Sequence, residues 1–335
     1  MSDSTRSGSP TDATGQKNAS MQIKVKTVGK EHEQLTWNDQ VEGELRELVR
    51  LAVVEDLEGS QDWTTVSLVP ATVPAKATIV SRVDGVIAGV PAAAAVLDEM
   101  KCTATCETLL SDGDKLKPGT AVANLIGPAR EILTAERVIL NTMCRLSGIA
   151  TLASRFVEQV AGTKARVYDT RKTTPGWRRL EKYAVKCGGG TNHRGGLNRA
   201  VLIKDNHIAF GNSVDGESRF SVAQSVEKAR KFVSANAPNG DSMIIQIEVD
   251  SLEQLAEVLP MRPDIVLLDN MSPAQLTNAV SMRDKAAVDV ELEASGGINL
   301  STIKAVAATG VDRISVGALT HSAPNLDLGL DWGDR

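Results

Sequence analysis

The rhythm of apolar and polar positions changes near the middle of the chain. In the first half, Val41–Asp56 places Leu45, Leu48, Leu51, Ala52 and Val54 at helical spacing, and the pattern stops near Gly59. Thr78–Val83 and Val86–Val90 are β-rich runs separated by Asp84-Gly85, which predicts a hairpin. Pro91–Met100 predicts an Ala-rich helix, and Thr103–Leu110 and Thr120–Ile126 predict further strands between turn-forming pairs. Pro128 then opens a helix with an apolar stripe through Ile132, Ile139, Met143 and Leu146, which Gly148 is expected to interrupt.

The second half alternates. Strand-like runs at Ala165–Asp169, Ala200–Lys204, Met243–Val249, Asp264–Asp269, Val288–Glu293 and Arg313–Val316 are mostly continuous in apolar character, as parallel strands buried on both faces are. Helical segments fall between them at Pro175–Lys186, Val222–Ala235, Leu252–Leu259, Pro273–Lys285 and Ser301–Ala308. Ser251 with Gln254 fits a capping box, and Ser272-Pro273 with Gln275 supplies an N-cap, a first-turn proline and its partner. Alternating βα units predict a parallel sheet, and six units fall short of a full eight-unit barrel. An incomplete α/β barrel is the expectation.

Residues 1–36 show no apolar periodicity and are rich in Ser and Thr, so a disordered tail is expected there. The stretch lacks the apolar run of a signal peptide, and Asp3 and Asp12 sit poorly in a transit peptide. Composition narrows the class further. Ten aromatic residues in 335 leave an aliphatic core, and no run long enough to span a membrane is present. Four cysteines make neither a disulfide framework nor, without paired histidines beside Cys102 and Cys106, a zinc site. A reduced, cytoplasmic setting is expected.

A formal net charge of −5 gives no reason to expect nucleic acid. Yet the window from Arg166 to His207 holds ten Lys or Arg against three acids, a balance of +7 inside a remainder of −12. Such a cationic island in an acidic protein suggests a focused site for a small anion.

In a parallel barrel the chemistry gathers at the C-terminal strand ends. Those ends read Asp169, Arg171 and Lys172, then Lys204, Asp205 and His207, then Glu248 and Asp250, then Asp269 and Asn270. Any one of these reads most simply as a solvated loop charge, but together they are harder to dismiss. Arg171, Lys172, His193, Arg194 and Lys204 suit carboxylate or phosphate groups. Glu248 and Asp269 suit sugar hydroxyls or a hydrated Mg²⁺. Ser295-Gly296-Gly297 and Val316-Gly317-Ala318 offer backbone N–H groups to phosphate. The residues thus describe a mouth for a multiply anionic small molecule and a phosphorylated sugar.

Several long motifs carry a resemblance. Asp169-Thr-Arg-Lys-Thr-Thr-Pro-Gly176, Leu180-Glu-Lys-Tyr-Ala-Val-Lys-Cys-Gly-Gly-Gly190, Asn192-His-Arg194 and Leu202-Ile-Lys-Asp-Asn-His207 are similar to the quinolinate phosphoribosyltransferase family. Glu136-Arg-Val-Ile-Leu-Asn141, Ile247-Glu-Val-Asp250, Leu267-Leu-Asp-Asn270, Glu293-Ala-Ser-Gly-Gly-Ile298 and Ser315-Val-Gly-Ala-Leu-Thr-His321 extend the likeness from about Trp37 onward. The resemblance implies an N-terminal α/β sandwich over 37–145 and an open six-stranded α/β barrel over 146–322. It also implies a segment, 323–335, returning to the first domain, and a homodimer with shared active sites. It implies the joining of quinolinate to 5-phosphoribosyl 1-diphosphate with Mg²⁺, giving nicotinate mononucleotide, pyrophosphate and CO₂.

By motif position Arg137 would reach the partner's site, and Thr170, Arg171, Lys172, His193, Arg194 and Lys204 would bind carboxylates or diphosphate. Lys172, Glu248 and Asp269 would serve catalysis, the two acids also facing ribose and metal. Ser295, Gly296, Gly297, Val316, Gly317 and Ala318 would hold the 5′-phosphate, with His321 nearby. Two departures stand out: Thr191 before Asn192, and a long polar stretch at Ala209–Ser221, read as a lengthened surface loop. Rival readings are a paralogue of altered substrate, such as the molybdenum-transport-associated relatives, a lyase forming a Schiff base on Lys204, and a non-catalytic phosphate binder. His32 has no expected role, and Cys187 reads as a packed bystander.

Overall fold

The computed structural model describes residues 31–211, 221–286 and 289–333. Residues 1–30 of the expected tail and 212–220 of the expected loop lie outside the described residues. The first domain comprises α1 (Asp39–Leu57), α2 (Trp63–Leu68), β1 (Pro74–Ser81), β2 (Gly85–Val86), α3 (Val90–Glu99), β3 (Thr105–Thr108), β4 (Lys115–Leu116) and β5 (Ala121–Pro128). The long helix α4 (Ala129–Gln159) leads into the second. There β6 (Arg166–Tyr168), α5 (Arg178–Cys187), β7 (Ala200–Ile203), α6 (Asp205–Gly211) and α7 (Val222–Asn236) come first. They are followed by β8 (Ile244–Val249), α8 (Leu252–Val258), β9 (Ile265–Asp269), α9 (Pro273–Ala286) and β10 (Glu291–Ser295). The chain closes with α10 (Ile303–Ala308), β11 (Arg313–Ser315), α11 (Ala318–His321) and β12 (Leu328–Trp332).

The expected hairpin at Asp84-Gly85 does not form. β1 pairs antiparallel with β5 on one side and β12 on the other, while the two residues of β2 pair with β4. The four-stranded sheet therefore runs β12-β1-β5-β3, and the barrel chain supplies its edge. A turn signal is local, whereas pairing follows which strands share a buried face.

Gly148 does not interrupt α4 either. The helix continues to Gln159, passing through the residue 145 boundary expected between the domains. A Cβ at Gly148 would lie 2.0 Å from the Pro324 carbonyl oxygen, so glycine is there to let the returning chain approach. The stripe foreseen on α4 is buried, and Ser147 and Thr151 on the same helix donate to or accept from the backbone at Ala88 and Val86. One continuous apolar core spans both domains.

The barrel sheet has the order β6-β11-β10-β9-β8-β7, every pairing parallel, with β6 and β7 as its two edges, not paired with each other. It is an open six-stranded α/β barrel. The seam is bridged by the 191–194 stretch: Thr191 makes a parallel bridge to Tyr168, and Arg194 donates to the Ala200 carbonyl on β7 at 3.1 Å. Thr191 acts here through its backbone, so the departure at this position leaves the bridge intact. Both foreseen N-caps are present, at Ser251 and Ser272, and Ser221 adds a complete capping box with Gln224.

The tail expectation fails for residues 31–36. Glu31 accepts from Arg166, Arg313 and the Tyr168 hydroxyl, and His32 is buried. Sequence periodicity could not show this, because the segment packs through polar contacts.

Candidate active site

Alternate residues of a strand share a face. On β8 that places Gln246 and Glu248 inward, on β10 Glu291, Glu293 and Ser295, and on β11 Arg313 and Ser315. The lower layers are buried and the upper ones open into a cavity of about 830 Å³. Its wall includes Thr170, Arg171, Lys172, His193, Arg194, Lys204, Glu248 and Asp269, the turns Ser295-Gly296-Gly297 and Val316-Gly317-Ala318, and His321. Every site residue expected by motif position except Arg137 is therefore brought to one mouth, whereas Asp169, Asp205, His207 and Asp250, read at strand ends, do not line it. Arg137 sits on α4 with its side chain 66% exposed, paired with Glu136, and does not line this chain's own cavity.

The cations are unevenly neutralised. Lys204 is ion-paired with Glu248 across β7 and β8. Arg171, Lys172 and Arg194 make no ion pair among the described residues, and the Arg171 Nε is buried without a hydrogen-bond partner. Burial, then the nearby Arg171, lowers the Arg194 guanidinium from its ordinary value. Unpaired buried donors of this kind are costly and call for an anion.

His193 is held through both ring nitrogens. Its Nδ1 accepts the Arg194 N–H at 2.8 Å, and its Nε2 lies 3.4 Å from Glu293 Oε2. Burial alone would raise the Glu293 carboxyl, but His193, Ser315 and Arg313 outweigh it and hold the group below its usual range. Beneath this wall Asp169 is not a ligand residue: it is fully buried, bound by Lys182, by Asn192 Nδ2 at 2.7 Å and by the His193 N–H at 2.8 Å.

Another part of the wall is glycine. Gly296 has φ +99°, and a Cβ there would fall 2.1 Å from Asn270 Oδ1. Asn270 in turn donates to Asp269 Oδ2 at 2.8 Å, so the turn also orients that carboxylate. Gly317 leaves room for the Lys172 chain and the His321 ring.

Asn270, read at a strand end, lines the cavity, and Glu293, Leu202, Ile298 and Ser315 line it without an expected role. The signal for Glu293 was present: it shares a strand face with Ser295 just before the Ser295-Gly296-Gly297 turn. Among the described residues no group of three or more His, Cys, Asp or Glu forms a metal cluster. Cys187 does not line the cavity, and burial, then Asp112, pushes its thiol up to about 12, away from the reactive thiolate.

An open α/β barrel whose mouth joins free cations, paired acids and glycine turns defines a transferase site for phosphorylated sugars. Comparison with known proteins makes the family explicit. Residues 149–331 match the quinolinate phosphoribosyl transferase C-terminal domain and residues 62–147 its N-terminal domain. The chain is 45% identical over 288 residues to a nicotinate-nucleotide pyrophosphorylase [carboxylating] of Mycobacterium leprae, covering 85% of this chain and 96% of the relative. A rat protein of the same name is 36% identical over 79% of this chain and 84% of its own. The solved nicotinate-nucleotide pyrophosphorylase from Francisella tularensis superposes with a TM-score of 0.79 at 36% identity, covering 90% of this chain and all of that one. This chain belongs to the quinolinate phosphoribosyltransferase family. It is a pentosyltransferase of pyridine nucleotide synthesis, and no helix among its described residues is long and apolar enough to cross a membrane.

Proposed function

We propose that the cavity binds quinolinate against Arg171, Lys172, His193 and Arg194, and the activated phosphoribosyl group against the glycine turns. The observation that carries this is the trio of un-neutralised cations, with its buried orphan Arg171 Nε, lining one cavity together with the glycine turns. A ring acid with two carboxylates satisfies that wall better than one with a single carboxylate. The 5′-phosphate would take the backbone N–H groups around Gly296, Gly297 and Gly317. His321 would close that end.

The chemistry follows from position. The C1–O bond to diphosphate breaks with its electron pair, and the ring nitrogen forms the new bond to C1. Positive charge on the sugar at that moment is stabilised by Glu248 and Asp269 at adjacent strand ends. The alkylated ring nitrogen is then cationic, so the C–C bond to the neighbouring carboxylate can break. CO₂ leaves, and the carbanion beside the positive nitrogen takes a proton from water. Lys172 and Arg194 serve by holding the dianion in register.

Glu248 and Asp269, oxygen donors at adjacent strand ends of the cavity, would hold a Mg²⁺ ion. Bound there, the ion would supply charge neutralisation for the leaving group. Lys204, ion-paired to Glu248, would share that task. That pairing also argues against the Schiff-base reading, which needs a free amine. A homodimer is supported by the exposed Arg137 and by the exposed Leu51, Val54, Trp63 and Leu68 of α1 and α2. A cytoplasmic location agrees with this chemistry.

The test compares quinolinate with nicotinate, each with phosphoribosyl diphosphate and Mg²⁺. Quinolinate should give CO₂ and pyrophosphate in equal amounts. Equal or faster turnover of nicotinate would overturn the reading.

A further inference from the structure

Residues 31–35 precede both matched family domains, the earlier of which begins at residue 62. They run beside the stretch that bridges the open barrel seam. At one end Glu31 accepts from Arg313 at 2.5 Å, from the Tyr168 hydroxyl at 3.0 Å and from Arg166. At the other, Gln34 clasps Asn192 in both directions. Its Nε2 donates to the Asn192 carbonyl at 3.0 Å, and its Oε1 accepts the Asn192 N–H at 2.9 Å. The Leu35 N–H adds a bond to Asn192 Oδ1 at 2.8 Å.

A segment fixed at both ends holds the residue between them. His32 is buried, its ring centroid 4.5 Å from that of His193 with a tilt of 37°. Its Nε2 has no hydrogen-bond partner among the described residues. The ring therefore works through its face, not through that nitrogen.

His193 has use for such a backing. Its Nδ1 and Nε2 are engaged by Arg194 and Glu293, but two contacts leave a ring free to rock about the line joining them. Tyr168 meets the ring edge-on from 6.4 Å, and His32 covers the face.

We propose that His32 is a positioning residue for the quinolinate half of the site, its imidazole face holding the His193 ring in the orientation that receives the ring acid. The inference rests on the assignment of quinolinate to the His193–Arg194 wall.

The full-length enzyme tests it through steady-state kinetics in both substrates. His32→Ala should raise the quinolinate KM about tenfold while kcat and the phosphoribosyl diphosphate KM stay within about twofold. His32→Phe restores the ring face and should bring the quinolinate KM back to within about threefold of wild type. In a His193→Ala background, His32→Ala should add nothing, because the two act as one unit. Thermal melts of each variant check folding, and His32→Phe keeps the test valid if His32→Ala folds poorly. The proposal falls if the two losses add, if His32→Phe is as impaired as His32→Ala, or if His32→Ala alters both KM values and kcat together. A normal defect in His193→Ala with none in His32→Ala removes this inference alone. An unchanged quinolinate KM in His193→Ala overturns the site assignment, and this inference with it.

Discussion

Lys182 donates at once to the Asp169 carboxylate and to the His193 carbonyl oxygen, the latter at 2.9 Å, and neither charged side chain reaches solvent. This buried pair ties α5 to the end of β6 and to the loop that carries the quinolinate wall. Burial pushes the Asp169 carboxyl up and the Lys182 ammonium down, the expected direction for charges taken out of water. Lys182→Met would leave Asp169 buried without its cation and should cost about 3–5 kcal/mol in a urea titration. Lys231→Ala breaks an exposed i,i+4 pair with Glu227 and should be silent in the same measurement.

Gly296→Ala should separate phosphate binding from stability. The new methyl must displace Asn270 and, through it, Asp269, while φ at +99° strains any side chain. The phosphoribosyl diphosphate KM should rise by roughly tenfold or more, while the loss of stability in a urea titration stays within about 2 kcal/mol. Wild-type kinetics would remove the turn from the phosphate site.

Exchange between inactive chains tests the shared site. Arg137→Ala and Lys204→Ala should each be inactive alone. Mixed after subunit exchange, they should recover about a quarter of wild-type activity, since half of random dimers are mixed and each of these holds one complete site. No recovery would place Arg137 outside the partner's cavity.

Asp269→Ala and Glu248→Gln should lower kcat by about two orders of magnitude while quinolinate affinity, measured by direct titration, stays nearly constant. A loss confined to affinity would assign the carboxylates to ground-state binding.

His32 gives the fold a pH dependence. Burial, then the nearby His193, Arg313, Lys182 and Arg194, lowers it from 6.5 to about 2. The folded ring therefore stays neutral while the unfolded chain takes up a proton below pH 6.5, so stability is lost as pH falls from 6.5 toward 2. Between pH 7 and pH 5 the loss from this group is about 2 kcal/mol. Denaturant titrations at both values should show His32→Phe losing less than wild type by that amount. Parallel losses in the two proteins would mean that His32 does not carry the effect.

Much of this was legible in the sequence because βα alternation and strand-end chemistry are written in local patterns. The six barrel strands announce themselves through apolar runs, and Arg171, Lys204, Glu248 and Asp269 follow directly where those runs stop. What stayed hidden depends on contacts between distant segments. Gly148 reads as a helix breaker until the Pro324 carbonyl is placed against it. Asp84-Gly85 reads as a hairpin because nothing nearby says that β1 will find β12. Asp169 looked like a site residue because exposure cannot be read from residue type. His32 looked idle because its partner ring lies far along the chain.

The pairing of Ser81 with Leu328 has a bearing on how the molecule is made. Strand β1 leaves the ribosome early, but its outer neighbour is translated only after the whole barrel. The first domain must therefore wait, one edge bare, while the second is synthesised, and its sheet is sealed only by chain that has already passed through the catalytic half.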